Sequence, residues 1–190
     1  MKANQQKNQL RLIAGIWRGR KLPFAPVPGL RPTPDRVRET LFNWLSPVIR
    51  GAHCLDLFAG SGALGFEAAS RGAAEVILVD NHAEVIDSLQ QQIEALGAQQ
   101  VSAVQAEYSR YLGGQAQSMD IVFLDPPYRE DLLPGCIGQL ESAGWLADEA
   151  WIYLETAHDI KPELPANWET HRSKSAGQVS VHLIRRSRVS

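Results

Sequence analysis

The chain has 190 residues, 44% of them hydrophobic, and a formal net charge of −2, an ordinary composition for one soluble domain with a short appendage. No apolar run approaches the length of a membrane span and no signal-like core follows the first residues. The two cysteines, Cys54 and Cys136, form no pair motif and the five histidines are scattered, which argues against a metal centre and fits a reducing cytoplasm.

Charge is unevenly spread along the chain. Residues 1–38 carry nine Lys or Arg against the single acid Asp35, and residues 172–190 carry five against none, which leaves an acidic middle. Basic ends on an acidic body point to a polyanion gripped at particular surfaces, although solvated tails would leave the same imprint. The apolar stretches Leu10–Ile13 and Lys21–Phe24 read as a small hairpin with Gly15 and Gly19 near its bends. Within it, Trp17 stands among Arg18, Arg20 and Lys21, suited either to RNA stacking and phosphate contact or to anchoring the hairpin by packing. After a proline-rich linker, Thr33-Pro34-Asp35 reads as a helix start with Thr33 as N-cap. Val37, Leu41, Trp44 and Leu45 share its buried face, with Arg36 and Arg38 turned outward.

The stretch from His53 to Gly65 is a short apolar run that turns through glycines into a helix, the first βα unit of a doubly wound sheet. Gly60 and Gly62 let the backbone lie close to a bound molecule, and Gly65 lets the helix pack near the strand. The Gly60-x-Gly62-x-x-Gly65 spacing also fits a dinucleotide fingerprint, but Asp56 at the strand end would repel a pyrophosphate. An acid there suits a sulfonium or an α-amino group. Asp56-x-Phe58-x-Gly60-x-Gly62-x-x-Gly65 resembles the first motif of S-adenosylmethionine-dependent methyltransferases, which makes these residues and Phe58 the expected cofactor loop.

Helix one should stop at Gly72, and strand two, Glu75–Asp80, ends in an acid placed to bind ribose hydroxyls or to cap a helix. An amphipathic helix closed by Gly97 follows, then strand three at 101–105. Glu107 occupies the position where the methyltransferase pattern places an acid against the adenine amino group. Strand four, Met119–Leu124, is a nearly continuous apolar run that ends in Asp125-Pro126-Pro127-Tyr128. Two prolines remove two N–H donors and leave a stiff rim of acceptors, the Asp125 carboxylate and the Pro126 carbonyl, beside the flat face of Tyr128. A rigid turn would need no such chemistry; a planar exocyclic amine would be held by it, its nitrogen aimed at the methyl donor.

A further helix at 132–140, a loop starting at Gly144-Trp145-Leu146, strand five at 150–155 and a hairpin of Trp168–Ser175 with Gln178–Arg186 complete the pattern. Here the chain resembles amino-methyltransferases with an (Asp/Asn)-Pro-Pro-(Tyr/Phe) motif. Two N-terminal stretches, 11–22 and 30–43, narrow the resemblance to the bacterial 16S ribosomal RNA guanine-N2 methyltransferase family (RsmD type). The resemblance implies a Rossmann-like class I fold, a mostly parallel seven-stranded sheet with helices on both faces and a small N-terminal hairpin and helix extension. It implies S-adenosylmethionine as cofactor, with Arg31 and Thr33 near it, and Asp125, Pro126 and Tyr128 as catalytic residues. The substrate it implies is a guanine in 16S rRNA of an assembled or nearly assembled small subunit. Residues 1–50 are expected to be an RNA-binding extension, using Arg11, Trp17, Arg18, Arg20, Lys21, Arg36 and Arg38, and residues 51–190 the catalytic domain, in a cytoplasmic monomer without metal.

Three other functions use part of this pattern. A DNA adenine-N6 methyltransferase shares the Asp-Pro-Pro-Tyr chemistry, but there is no room for a target-recognition segment beyond the basic arm. A protein glutamine methyltransferase usually has Asn in place of Asp125. A non-catalytic RNA-binding assembly factor would have no use for intact Asp80 and Asp125.

Overall fold

A computed structural model of the chain describes residues 8–27, 32–127, 132–158, 160–177 and 179–188. The expected hairpin is there: β1 (Gln9–Arg11) pairs antiparallel with β2 (Lys21–Pro23), and the register partners Leu10 and Leu22 both point inward. Gly15, at φ +81°, lies so close to the helix beneath it that a Cβ there would sit 1.8 Å from the Ser70 carbonyl oxygen. Only glycine fits that contact.

Helix α1 (Asp35–Leu45) buries Val37, Arg38, Leu41, Phe42 and Leu45. Two expectations are corrected here. The cap position falls on Pro34 with no side-chain cap bond, because the Thr33 side chain hydrogen-bonds Asp125 instead. Arg38 is not turned outward but is 1% exposed. Residues 38, 41, 42 and 45 follow i, i+3, i+4, i+7 spacing, so Arg38 occupies a core position of the helix. Its charge is met by Asp35 at 2.6 Å and Glu67 at 3.6 Å, and it donates to the carbonyls of Thr33 and Arg11.

The main body alternates β3 (His53–Asp56), α2 (Ala63–Ser70), β4 (Glu75–Asp80), α3 (Ala83–Leu96), β5 (Val101–Gln105), α4 (Tyr108–Leu112), β6 (Met119–Leu124) and α5 (Leu133–Ser142). It ends in β7 (Leu146–Ala157), β8 (Trp168–Ala176) and β9 (Val179–Ser187). The seven-stranded sheet has the order β5-β4-β3-β6-β7-β9-β8, parallel from β5 to β7, with β9 antiparallel to both neighbours. Strand β7 is longer than expected and begins where a loop was foreseen; its pairing with β6 shifts register between Met119 and Ile121. The short helix α4 was not foreseen.

Alternation along the strands splits the core in two. Cys54, Val76, Leu78, Ile121, Phe123 and Tyr153 face the hairpin, α1, α2 and α3. Leu55, Ile77, Val79, Val122, Leu124 and Leu154 face α4 and α5. The chain leaves β3 towards β4 on one side and returns to β6 on the other, so β3 and β6 flank the switch point where doubly wound sheets bind ligands. No helix among the described residues is long and apolar enough to cross a membrane.

Candidate active site

The neighbouring strands β4, β3, β6 and β7 each bring an acid to the same edge and the same face of the sheet: Asp80, Asp56, Asp125 and Glu155. Asp56 and Asp80 close β3 and β4. Asp125 follows the last residue of β6, and the Leu124–Leu154 pairing sets it beside Glu155. Asp56, Asp80 and Asp125 are brought together as the sequence predicts; Glu155 was missed, although it lies at the end of an apolar run as they do.

The glycine loop closes over this row. Gly60 (φ +50°) donates its N–H to Asp80 Oδ2 at 3.0 Å, and Gly62 (φ +76°) caps α2 in the left-handed region. Gly65 donates to Asp56 Oδ2 at 3.1 Å, and a Cβ on it would stand 2.1 Å from Leu78 Cδ2. Helix and strand therefore approach as closely as the sequence pattern requires. Asp80 Oδ1 also accepts from the His82 N–H at 3.0 Å; the α3 cap position itself falls on His82, not on Asp80.

Electrostatics mark the row as short of positive charge. Asp56 is 2% exposed, and burial, reinforced by Asp125 and Asp80, pushes it up to about 7 despite N–H bonds from Gly65 and Phe58. Burial raises Asp125 to about 6, with the Thr33 bond pulling it down. Burial, then Asp125, raises Glu155 to about 8. The Tyr153 hydroxyl, beneath them, is 3.0 Å from Glu155 Oε2 and donates to it. A cationic ligand group would relieve this strain, whereas a pyrophosphate would aggravate it.

Among the described residues, the remaining expected ones divide between this row and places away from it. Pro126 is buried beside Asp125; Arg31 and Tyr128 lie outside the described residues. Phe58 is half-buried against Tyr108 on the other face, ring centroids 5.8 Å apart. Glu107 caps α4, with Oε2 accepting from the N–H groups of Ser109 and Arg110 and from the Ser109 hydroxyl. In the arm, Ile16 and Trp17 donate their N–H groups to Ser70, and Arg20 reaches the Ala95 carbonyl at 3.2 Å. Those partners are at the C-terminal ends of α2 and α3, so the tip with Trp17, Arg18 and Arg20 lies at the opposite edge of the sheet from Asp125. Arg11 is paired with Asp35 at 3.4 Å. Trp17 is half-buried against the core, its packing role.

Among the expected cations that are described, Arg36 is exposed beside the catalytic edge. It lines a cleft of about 390 Å³ between α1 and the β8–β9 hairpin, together with Thr40, Glu155, Lys174 and Val181. Sequence reasoning also missed Lys174 and Glu67. Glu67 is a fully buried acid and the only charged residue of α2, and it accepts the N–H groups of Ile13 and Ala14.

Residues 10–185 match the family model described as conserved hypothetical protein 95. The ribosomal RNA small subunit methyltransferase D of Escherichia coli strain K12 is 51% identical over 179 residues, covering 94% of this chain and 90% of that protein. Its Haemophilus influenzae namesake is 43% identical, covering 93% of this chain and 94% of that protein. Among solved structures, methyltransferase yhhF from E. coli superposes with a TM-score of 0.89 at 50% identity, covering 96% of this chain and all 100% of that one. The methylase HI0767 from H. influenzae gives 0.83 at 38% identity, covering 95% and 99%.

Proposed function

The chain belongs to the conserved hypothetical protein 95 family, and from that premise we propose that it methylates 16S ribosomal RNA of the small subunit, at the exocyclic N2 of one guanine, using S-adenosylmethionine. The observation that carries the reading is the meeting of Asp56, Asp80 and Asp125 with the glycine loop at one edge of the sheet. S-adenosylmethionine supplies an electrophilic methyl carbon on a cationic sulfur. Asp56, Asp80, Gly60 and Gly62 would hold it, with Glu107 toward the adenine end. The cation-starved carboxylates fit a sulfonium ligand that also carries an ammonium group.

Asp125 and the Pro126 carbonyl accept the two N–H bonds of the target amine. Held this way, the nitrogen lone pair is drawn out of the ring and pointed along the line of transfer, and orientation of this kind supplies about 7–11 kcal/mol in well-aligned cases. With a bound donor that would supply the methyl group and keep the electron pair of its S–C bond, the Asp125 carboxylate would stabilise the positive charge that the target nitrogen gains. One proton then leaves the alkylated amine, a far stronger acid than a carboxyl group, for an Asp125 oxygen. Thr33 holds that carboxylate in place. Tyr128 offers a ring for the extruded base, worth about 1–3 kcal/mol in stacking.

Residues 1–50 act as the RNA-binding extension of the catalytic body, 51–190. The protein acts as a cytoplasmic monomer on an assembled or nearly assembled particle. Incubation with labelled S-adenosylmethionine and, separately, naked ribosomal RNA, small subunits and DNA tests the reading. N2-methylguanosine in the RNA hydrolysate is expected; N6-methyladenine in DNA would overturn it.

A further inference from the structure

We propose that Glu155 reads the N1–H of the target guanine while Asp125 holds the adjacent N2 amine, so that two neighbouring strand ends select guanine over adenine. The inference rests on the guanine-N2 reading above and assigns a residue to its base specificity.

The placement follows from pairing. Leu124 and Leu154 are register partners on parallel strands, so Asp125 and Glu155 stand side by side one step further along, about one strand spacing, ~4.8 Å, apart. Phe123 and Tyr153, two residues before them, point into the same core. Their carboxyls therefore project onto one face, and a guanine edge presents two adjacent donors, N2–H and N1–H, to match two adjacent acceptors.

Glu155 is prepared for such a partner. The one hydrogen bond it receives from the described residues comes from the Tyr153 hydroxyl and falls on Oε2. Oε1 is left to a ligand. The same residue lines the cleft under α1, together with Arg36, Thr40 and Lys174. Glu155 pairs with Val181, and Val181 with Lys174, so the row of carboxylates gives way to a cation across β9. Lys174, whose Nζ is 3.3 Å from Thr40 Oγ1, and the exposed Arg36 flank the mouth where a nucleotide's phosphates would lie. Burial and Asp125 hold Glu155 up near 8 in the free protein, so it must give up a proton to accept from N1–H.

Discrimination then has a physical source. Adenine carries a bare acceptor at N1, which would set lone pair against lone pair at an ionised Glu155 and leave both unpaired. Sites built to hydrogen-bond a substrate N–H reject analogues that lack it far more strongly than apolar pockets reject a missing methylene.

The test uses small subunits reconstituted with RNA carrying either guanine or 2-aminopurine at the methylated position. 2-Aminopurine keeps the C2 amine and lacks N1–H. At about pH 8.5, above the value near 8 at which Glu155 gives up its proton, the wild-type enzyme should favour guanine by about 100-fold or more in kcat/KM. Glu155→Leu should collapse that ratio to within about fivefold by losing rate on guanine. Glu155→Gln, which keeps a carbonyl acceptor, should retain most of it. Calorimetric binding of S-adenosylmethionine should be unchanged in both variants. A Glu155→Leu enzyme with the wild-type ratio would overturn the inference. So would a wild-type enzyme that accepts both bases equally, whichever variants fold. If the wild type methylates no guanine at all, the proposed function itself fails, and this inference with it.

Discussion

The guanidinium of Arg38 and the carboxylate of Glu67 stand 3.6 Å apart, and neither side chain reaches solvent. The pair joins α1 to α2 and ties both to the arm, since Glu67 also takes the N–H groups of Ile13 and Ala14 at 2.8 and 3.0 Å and the Arg71 side chain at 2.7 Å. Removing Glu67 leaves Arg38 with Asp35 as its counter-ion but deprives the Ile13 and Ala14 N–H groups of their acceptor, at about 1–3 kcal/mol for each unsatisfied group. Glu67→Ala should lower stability by that order in denaturant titrations and expose the arm to limited proteolysis between β1 and β2. The double variant Arg38→Met with Glu67→Leu should be less destabilised than the sum of the singles. Additive losses would show that the two charges do not interact.

Asp125 can be separated from cofactor binding. Asp125→Ala removes an acceptor for the target amine but leaves Asp56, Asp80 and the glycine loop, so kcat should fall by about 10³-fold or more, within what lost orientation can account for. The cofactor dissociation constant, read by calorimetry, should move by less than about threefold, a change worth under 1 kcal/mol. Transfer at the wild-type rate would remove Asp125 from the chemistry.

Cofactor binding should depend on pH with a definite sign. Asp56 is held at about 7 in the free protein, against an ordinary value of 3.8, so below pH 7 it is largely protonated and must release that proton to meet a cation. Affinity should rise by up to about tenfold per pH unit between pH 5 and 7 and level off above. Asp56→Asn should flatten the profile. Stability of the ligand-free protein should run the other way. Asp56, Asp125 and Glu155 all keep protons in the folded state that the unfolded chain gives up, with folded values about 7, 6 and 8. Their contribution is complete below about pH 4 and is lost as pH rises through 6 to 8. The melting temperature should therefore fall between about pH 4 and 8, and saturating cofactor should reduce the fall.

What was legible in the sequence follows from contrast. Asp56, Asp80 and Asp125 each break an apolar run just where glycine, proline or a helix start follows, so strand end and function could be read together. Glu155 also closes the strand expected at 150–155, but Thr156 and Ala157 continue that strand, with no glycine, proline or helix start to set the acid apart. Arg38 and Glu67 were illegible for another reason. Whether a charged residue on an amphipathic helix is buried depends on its partner, here 29 positions away and brought near only by tertiary packing. Glu107 shows a third limit, since a helix cap and an adenine contact use the same residue type at the same position.

The arm poses the last test, because its basic tip and the catalytic edge lie at opposite ends of α2. RNA that touched both would have to run along the hairpin face, past exposed Arg18 and Lys21. Anchoring so far from Asp125 can hold substrate but cannot align the reacting atoms. Arg18→Ala with Lys21→Ala should therefore raise KM for small subunits and leave kcat unchanged. For every phosphate no longer neutralised, the slope of log affinity against log salt should also flatten by about 0.7–0.9. Arg20 is the less clean probe, since it also satisfies the Ala95 carbonyl at the end of α3 and its removal would loosen that helix. An unchanged salt slope would take the tip out of the interface and leave the cleft mouth, with Arg36 and Lys174, as the surface on which the RNA is held.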